Sequence, residues 1–196
     1  MKLHRILLIT GIAAVVLGLA GLAPLAYYKS QNQKVLAQPP TVHIPAVAPA
    51  PEPKPSLITG KPVHLVIPSL GIDLAVADGA YNAKDGTWTL SKDKAHYALP
   101  TQQPNNESGN TLIYGHYRKG VFSSLHKLAP GAQVTVETDN GYRFTYTFQK
   151  SETVSPADTS VFTYTGAPRL TIQTCTGAFM QNRQLFYFGL TDVAKM

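Results

Sequence analysis

The sequence predicts an all-β exported domain, a closed or nearly closed barrel of about seven to eight strands with short helical turns, preceded by an N-terminal transmembrane helix. Three observations carry that expectation. An uncharged apolar run lies near the N-terminus, a proline-rich stretch follows it, and from Val63 onward short alternating runs are broken by turn residues. The alternation has period two, as in strands with one buried face. Beyond the apolar run, helical character is expected only as a turn or two near Ser91 to Ala98 and Phe122 to Leu128. A β-sandwich is the alternative, but closure into a barrel removes exposed strand edges.

The first element is the anchor. Lys2, His4 and Arg5 precede an apolar run from Ile6 to about Tyr28 that is interrupted only by small residues and Pro24. About 20 such residues span the hydrocarbon layer, whereas a signal-peptide core has about 7 to 15. Residues 1–29 therefore read as a cytoplasmic tip and an uncleaved transmembrane anchor. Lys2 and Arg5 favour a cytoplasmic N-terminus and an extracytoplasmic domain, although Lys29 and Lys34 on the far side weaken the asymmetry. The alternative is a cleaved signal peptide with a small-residue site at Val35-Leu36-Ala37. Both readings export the remainder.

Residues 30–61 form the spacer, where closely spaced prolines remove backbone donors and favour extended polyproline conformations. Residues 62–196 form the domain. Charge follows the same partition: residues 1–61 carry a balance of +5, with Glu52 the single acid, and residues 62–196 a balance of +1. The basic character therefore suits an anionic membrane or wall surface. No nucleic-acid motif is present, and no nucleic-acid partner is expected.

Strands are expected at VHLVI (63–67), IDLAVA (72–77), TLIYG (111–115), AQVTVET (132–138), YRFTYTFQ (142–149), PRLTIQT (168–174) and QLFYFGLTD (184–192). Asp139-Asn140-Gly141 separates the fourth and fifth, and Asn-Gly is expected to supply the positive backbone angles of a tight hairpin.

Cys175 is the only cysteine, so an exported chain cannot use it for an internal disulfide. Inert packing, an intermolecular disulfide and a nucleophile remain as readings. A nucleophile needs a base or cation nearby and a group that stabilises an oxyanion. His116 follows Tyr114-Gly115, where a strand ends and a loop begins. Arg183 lies eight residues after Cys175, so two neighbouring strands would bring them together. Taken singly, each is equally an ordinary polar loop residue.

GNTLIYGHYRKGVFSSLHKLAPGAQVTVETDNG, SPADTSVF, LTIQTCTG and NRQLFYFGL, in that order, resemble the successive segments of a sortase, the bacterial membrane-anchored cysteine transpeptidases. In that family the histidine follows a glycine at a strand end, the cysteine closes a strand on Thr-Cys with a further threonine shortly before, and the arginine opens the last strand. His116, Thr171-Ile172-Gln173-Thr174-Cys175 and Arg183 fit those places. Tyr114 departs from the small residue common before Gly-His, and Ala132 from the usual acid of a Leu-x-x-Gly-Asp segment.

The resemblance implies that Cys175 attacks a sorting-signal peptide to give a thioacyl enzyme. Arg183 would stabilise the oxyanion and the substrate, and His116 would serve as general acid and base. Thr174 would add a polar contact to substrate. The acceptor would be an amine, such as that of a cell-wall precursor or a pilin lysine, and no cofactor or metal is required. A membrane-anchored β-domain acting as a surface binding module is the alternative from another class.

Overall fold

The computed structural model describes residues 56–196, so the predicted anchor and most of the spacer lie outside the described residues. Among the described residues, no helix is long and apolar enough to cross a membrane.

The described residues form ten strands: β1 (Pro62–Ile67), β2 (Ile72–Gly79), β3 (Tyr81–Asn82), β4 (Thr87–Trp88), β5 (Ala95–Ala98), β6 (Asn110–Tyr114), β7 (Gln133–Thr138), β8 (Tyr142–Val154), β9 (Arg169–Thr176) and β10 (Asn182–Lys195). Eight of them close a barrel in the order β1-β2-β5-β6-β9-β10-β8-β7, and β3-β4 is a separate hairpin. Two neighbouring pairs, β2 with β5 and β6 with β9, run parallel. Short 3₁₀ turns occur at Pro68–Leu70 and Leu125–Lys127, and a single helical turn at Ser160–Thr163.

Alternation explains the barrel. Val134 and Val136 on β7, Phe144 and Tyr146 on β8, and Phe186 and Phe188 on β10 point into one core with Leu65, Ile67, Leu170 and Ile172. A second, smaller core lies on the opposite face of the wall. There Leu112 and Tyr114 of β6 and Leu185 and Tyr187 of β10 pack with Ala98 and Val161, with Trp88 and Val154 at its edge. The wall is thus apolar on both sides at β5, β6 and β10, which an alternation pattern alone does not reveal.

That double burial corrects one expectation. Ser91 to Ala98 was predicted to contain a helical turn, but Ala95–Ala98 is a strand whose four residues are all buried. The strand was illegible because AHYA has no polar face.

The turn at 139–141 also differs in detail. Gly141 has φ +82, its N–H donates to the Thr138 carbonyl at 3.1 Å, and no asparagine takes a positive φ. The loop is therefore a three-residue turn with glycine in the left-handed position rather than a two-residue Asn-Gly turn.

Ahead of residue 62 the chain is already tied to the barrel. The Ile58 N–H donates to Asn106 Oδ1 at 2.8 Å, the Asn140 side-chain amide to the Thr59 carbonyl at 2.7 Å, and Lys61 Nζ pairs with Asp78 at 2.8 Å.

Candidate active site

Cys175 is the penultimate residue of β9, and its direct partner across the antiparallel β9–β10 ladder is Arg183. Opposed residues in such a ladder project from the same face, with Cβ atoms about 4.5–5.5 Å apart. That face is the outer one, because the alternating residues Leu170 and Ile172 of β9 and Phe186 and Phe188 of β10 fill the barrel interior. Cys175 and Arg183 are both half-buried. The guanidinium is steadied by donating Nη1–H to the carbonyls of Met180 and Asn182, each at 3.2 Å.

His116 stands two residues past the end of β6, the parallel neighbour of β9. Tyr114 pairs with Gln173, and the Gly115 N–H donates to the Gln173 carbonyl at 3.1 Å. The buried Thr174 hydroxyl then donates to the Gly115 carbonyl at 2.9 Å. The residue before the thiol thereby grips the residue before the imidazole. The hydroxyl predicted to contact substrate has its proton committed to this bond, although Thr174 still lines the cavity.

Gly115 is glycine for a packing reason. A Cβ there would come within 3.0 Å of both the Phe122 ring and Val121, which fold back when the Val121 and Phe122 N–H groups bond the carbonyls of Arg118 and His116.

A cavity of about 570 Å³ opens on the outer face beside these groups. Cys175, Arg183, Thr174 and Gly115 line it at one side, and its wall stops short of His116, which is half-buried beyond the end of β6. Across from the thiol stand the β3-β4 hairpin and the segment 154–162, with Trp88, Val161 and Phe162 turned to the cavity. Asp158 is its only lining acid; the hydroxyl and N–H of Ser160 hold its carboxyl below the usual range. Burial pushes the Tyr114 phenol up to about 12, so it is a neutral donor at physiological pH.

The 154–162 wall is fixed by Asn110. Its buried amide donates to the Val161 carbonyl at 2.9 Å, and its oxygen accepts from the Thr171 hydroxyl at 2.7 Å and Arg169 Nε at 3.2 Å. The Arg169 guanidinium in turn lies 3.7 Å over the Tyr164 ring and 4.7 Å from that of Tyr187.

The sequence assigns no site residue in the 78–110 or 150–168 segments, which wall the cavity opposite the thiol. Asp85-Gly86, a hairpin signal between Tyr81-Asn82 and Thr87-Trp88, was the available clue. Among the described residues, no group of three or more His, Cys, Asp or Glu side chains is placed to hold a metal.

The eight-stranded barrel is a fold seen in solved structures. Sortase A of Listeria monocytogenes is similar at TM-score 0.56 and 22% identity, covering 69% of this chain and 90% of that one. A Streptococcus pneumoniae sortase C gives 0.58 at 21%, with 71% and 73% covered. Sortase E1 of Streptomyces coelicolor, solved with a tripeptide in its active site, gives 0.56 at 21%, with 70% and 91% covered. These likenesses concern the fold. No curated protein sequence matches the chain. The Sortase domain family model matches residues 65–188, more than half of the chain, and the protein belongs to the sortase family.

Proposed function

We propose that this sortase-family protein cleaves a sorting signal in exported proteins and transfers the acyl group to an amine. The observation that carries the reading is the opposition of Cys175 and Arg183 across one ladder, with Thr174 tying the His116 loop to the same strand.

The Cys175 thiolate attacks the scissile carbonyl, and the resulting oxyanion is stabilised by the Arg183 guanidinium. As the C–N bond breaks, protonated His116 gives its proton to the leaving amine and a thioester remains on Cys175. An incoming amine then attacks the thioester carbon and loses a proton to His116. The C–S bond breaks, and the thiolate is restored. His116 stands outside the enclosed cavity, where both amines exchange with solvent.

The acceptor is a cell-wall precursor amine or a pilin lysine, and residues 1–29 anchor the enzyme with its domain outside the cell. The full chain, mixed with an amine and a peptide containing a Thr-Gly bond, the bond that the sortase resemblance implies, is expected to form the joined product, and Cys175→Ala is expected to form none. Equal product from both proteins overturns the reading.

A further inference from the structure

We propose that His96 is a positioning residue, a buried neutral imidazole that latches the β3-β4 hairpin in place and releases it when the ring takes a second proton. Its effect on turnover rests on the transpeptidase reading, whereas the latch itself does not.

His96 lies on β5, is 3% exposed, and shares the outward parity of Ala98. It does not line the cavity, yet both of its ring nitrogens are engaged. The Ser91 N–H donates to Nε2 at 2.9 Å, so Nε2 carries no proton, and Nδ1–H donates to the Asp78 carbonyl of β2 at 3.3 Å. The Ser91 hydroxyl also lies 2.7 Å from Nε2. A backbone N–H can only donate, so this arrangement fixes the tautomer and the charge of the ring together.

The ring holds a linker. Residues 89–94 join β4 to β5, and two of them are tied down: the Thr89 carbonyl accepts from the Tyr114 hydroxyl at 2.7 Å, and Ser91 is held by His96. Tyr114 serves both ties, because the His96 ring stacks on it with centroids 5.6 Å apart and planes at 27°. Tyr114 also meets Trp88 of β4 edge-on at 5.4 Å and 70°. The path from His96 through Ser91 and Tyr114 to Trp88 therefore sets where the hairpin stands across from the thiol.

A second proton breaks the arrangement. Nε2–H would face the Ser91 N–H, donor against donor, and its remaining partner is the Ser91 hydroxyl. A buried imidazolium also needs an anion, and the elements around the ring supply none. On β2, Asp78 is paired with Tyr97 rather than His96, and its carboxylate takes Lys61 Nζ at 2.8 Å. The linker's Lys92, Asp93 and Lys94 are exposed, and β6 presents the neutral Tyr114 phenol. The Tyr114 face attracts a cation, but the Ser91 N–H would still lose its acceptor. Histidine changes charge between about pH 5 and 8, so the latch is closed on the alkaline side of that range and opens as pH falls through it.

Trp88 is the only tryptophan in the chain, so its emission reports the hairpin. The full chain in detergent micelles, without peptide, is titrated with acrylamide at about pH 7.5 and about pH 5.5, and quenching of Trp88 is expected to rise about twofold or more on acidification. His96→Gln keeps an acceptor for Ser91 that does not titrate, and its quenching is expected to stay low at both pH values. His96→Leu removes the acceptor and should be quenched strongly at both, while His64→Gln should keep the wild-type step. In the transfer assay the wild-type KM is expected to rise about fivefold more than that of His96→Gln over the same range, with kcat changing in parallel in the two. Quenching that ignores pH, that rises equally in wild type and His96→Gln, or that stays low in His96→Leu overturns the proposal, as does an equal rise in KM. No joined product from any of these proteins at either pH fails the transpeptidase reading instead, while the quenching, which needs no chemistry, still decides the latch.

Discussion

A hydroxyl has one proton to donate, and that of Thr174 goes to the Gly115 carbonyl. Thr174→Val keeps the shape but leaves this buried oxygen unpaired, a loss of about 1–3 kcal/mol. Urea unfolding should report that loss, and steady-state kinetics should show kcat falling more than KM while Thr174→Ser stays close to wild type. Arg183→Lys keeps a charge but loses the planar fork, and a drop on the order of 10²-fold in kcat is expected. Cys175 and Arg183 were legible in sequence because eight residues suffice for one strand to return beside another. The partner of Thr174 was not, since nothing in TIQTC says that residue 174 shares the inward parity of Leu170 and Ile172. Trp88 was invisible for a related reason: a lone aromatic 87 residues before the thiol shows no neighbour until the barrel closes.

Asn110 acts between elements, joining β6, β9 and the helical turn through three hydrogen bonds. Asn110→Leu should free the Val161 carbonyl and loosen the 154–162 wall, with faster amide exchange over residues 158–164. KM should rise about tenfold, as expected where positioning rather than chemistry is lost. The strands with one wet face, such as β7 and the first half of β8, could be read from their alternation. β5 could not, because both of its faces are buried, and the β3-β4 hairpin is too short for any period to emerge. The element least readable in sequence is thus the one that faces the thiol across the cavity.

At the scale of the molecule, two cores divide the work. Phe144→Ala empties a fully buried interior site and should cost about 3–5 kcal/mol of global stability, measured by urea unfolding. Val161→Ala, in the outer core, should shift peptide affinity more than the unfolding midpoint. Closure of the barrel is also pH-linked: His64 of β1 lies between Asp73 of β2 at 2.6 Å and Glu137 of β7 at 3.3 Å, and Glu137 accepts from Arg143 of β8 at 2.8 Å. The Arg143 hydrogen bond foremost holds the Glu137 carboxyl below its ordinary range. A depressed carboxyl stabilises the fold above its unfolded value of about 4.3 and loses that contribution as pH falls through the folded one. Melting temperature should therefore decline on acidification below about pH 4.3, and Glu137→Gln should flatten part of that slope. The parallel pairing of β6 with β9 carries a consequence in time. A chain made from its N-terminus displays His116 early, gains the thiol only after β7, β8 and the crossover to β9, and acquires Arg183 with the closing strand. During synthesis the cysteine is thus exposed without its guanidinium until the last barrel strand emerges, so the Cys175–Arg183 pair is complete only once the final strand has been made.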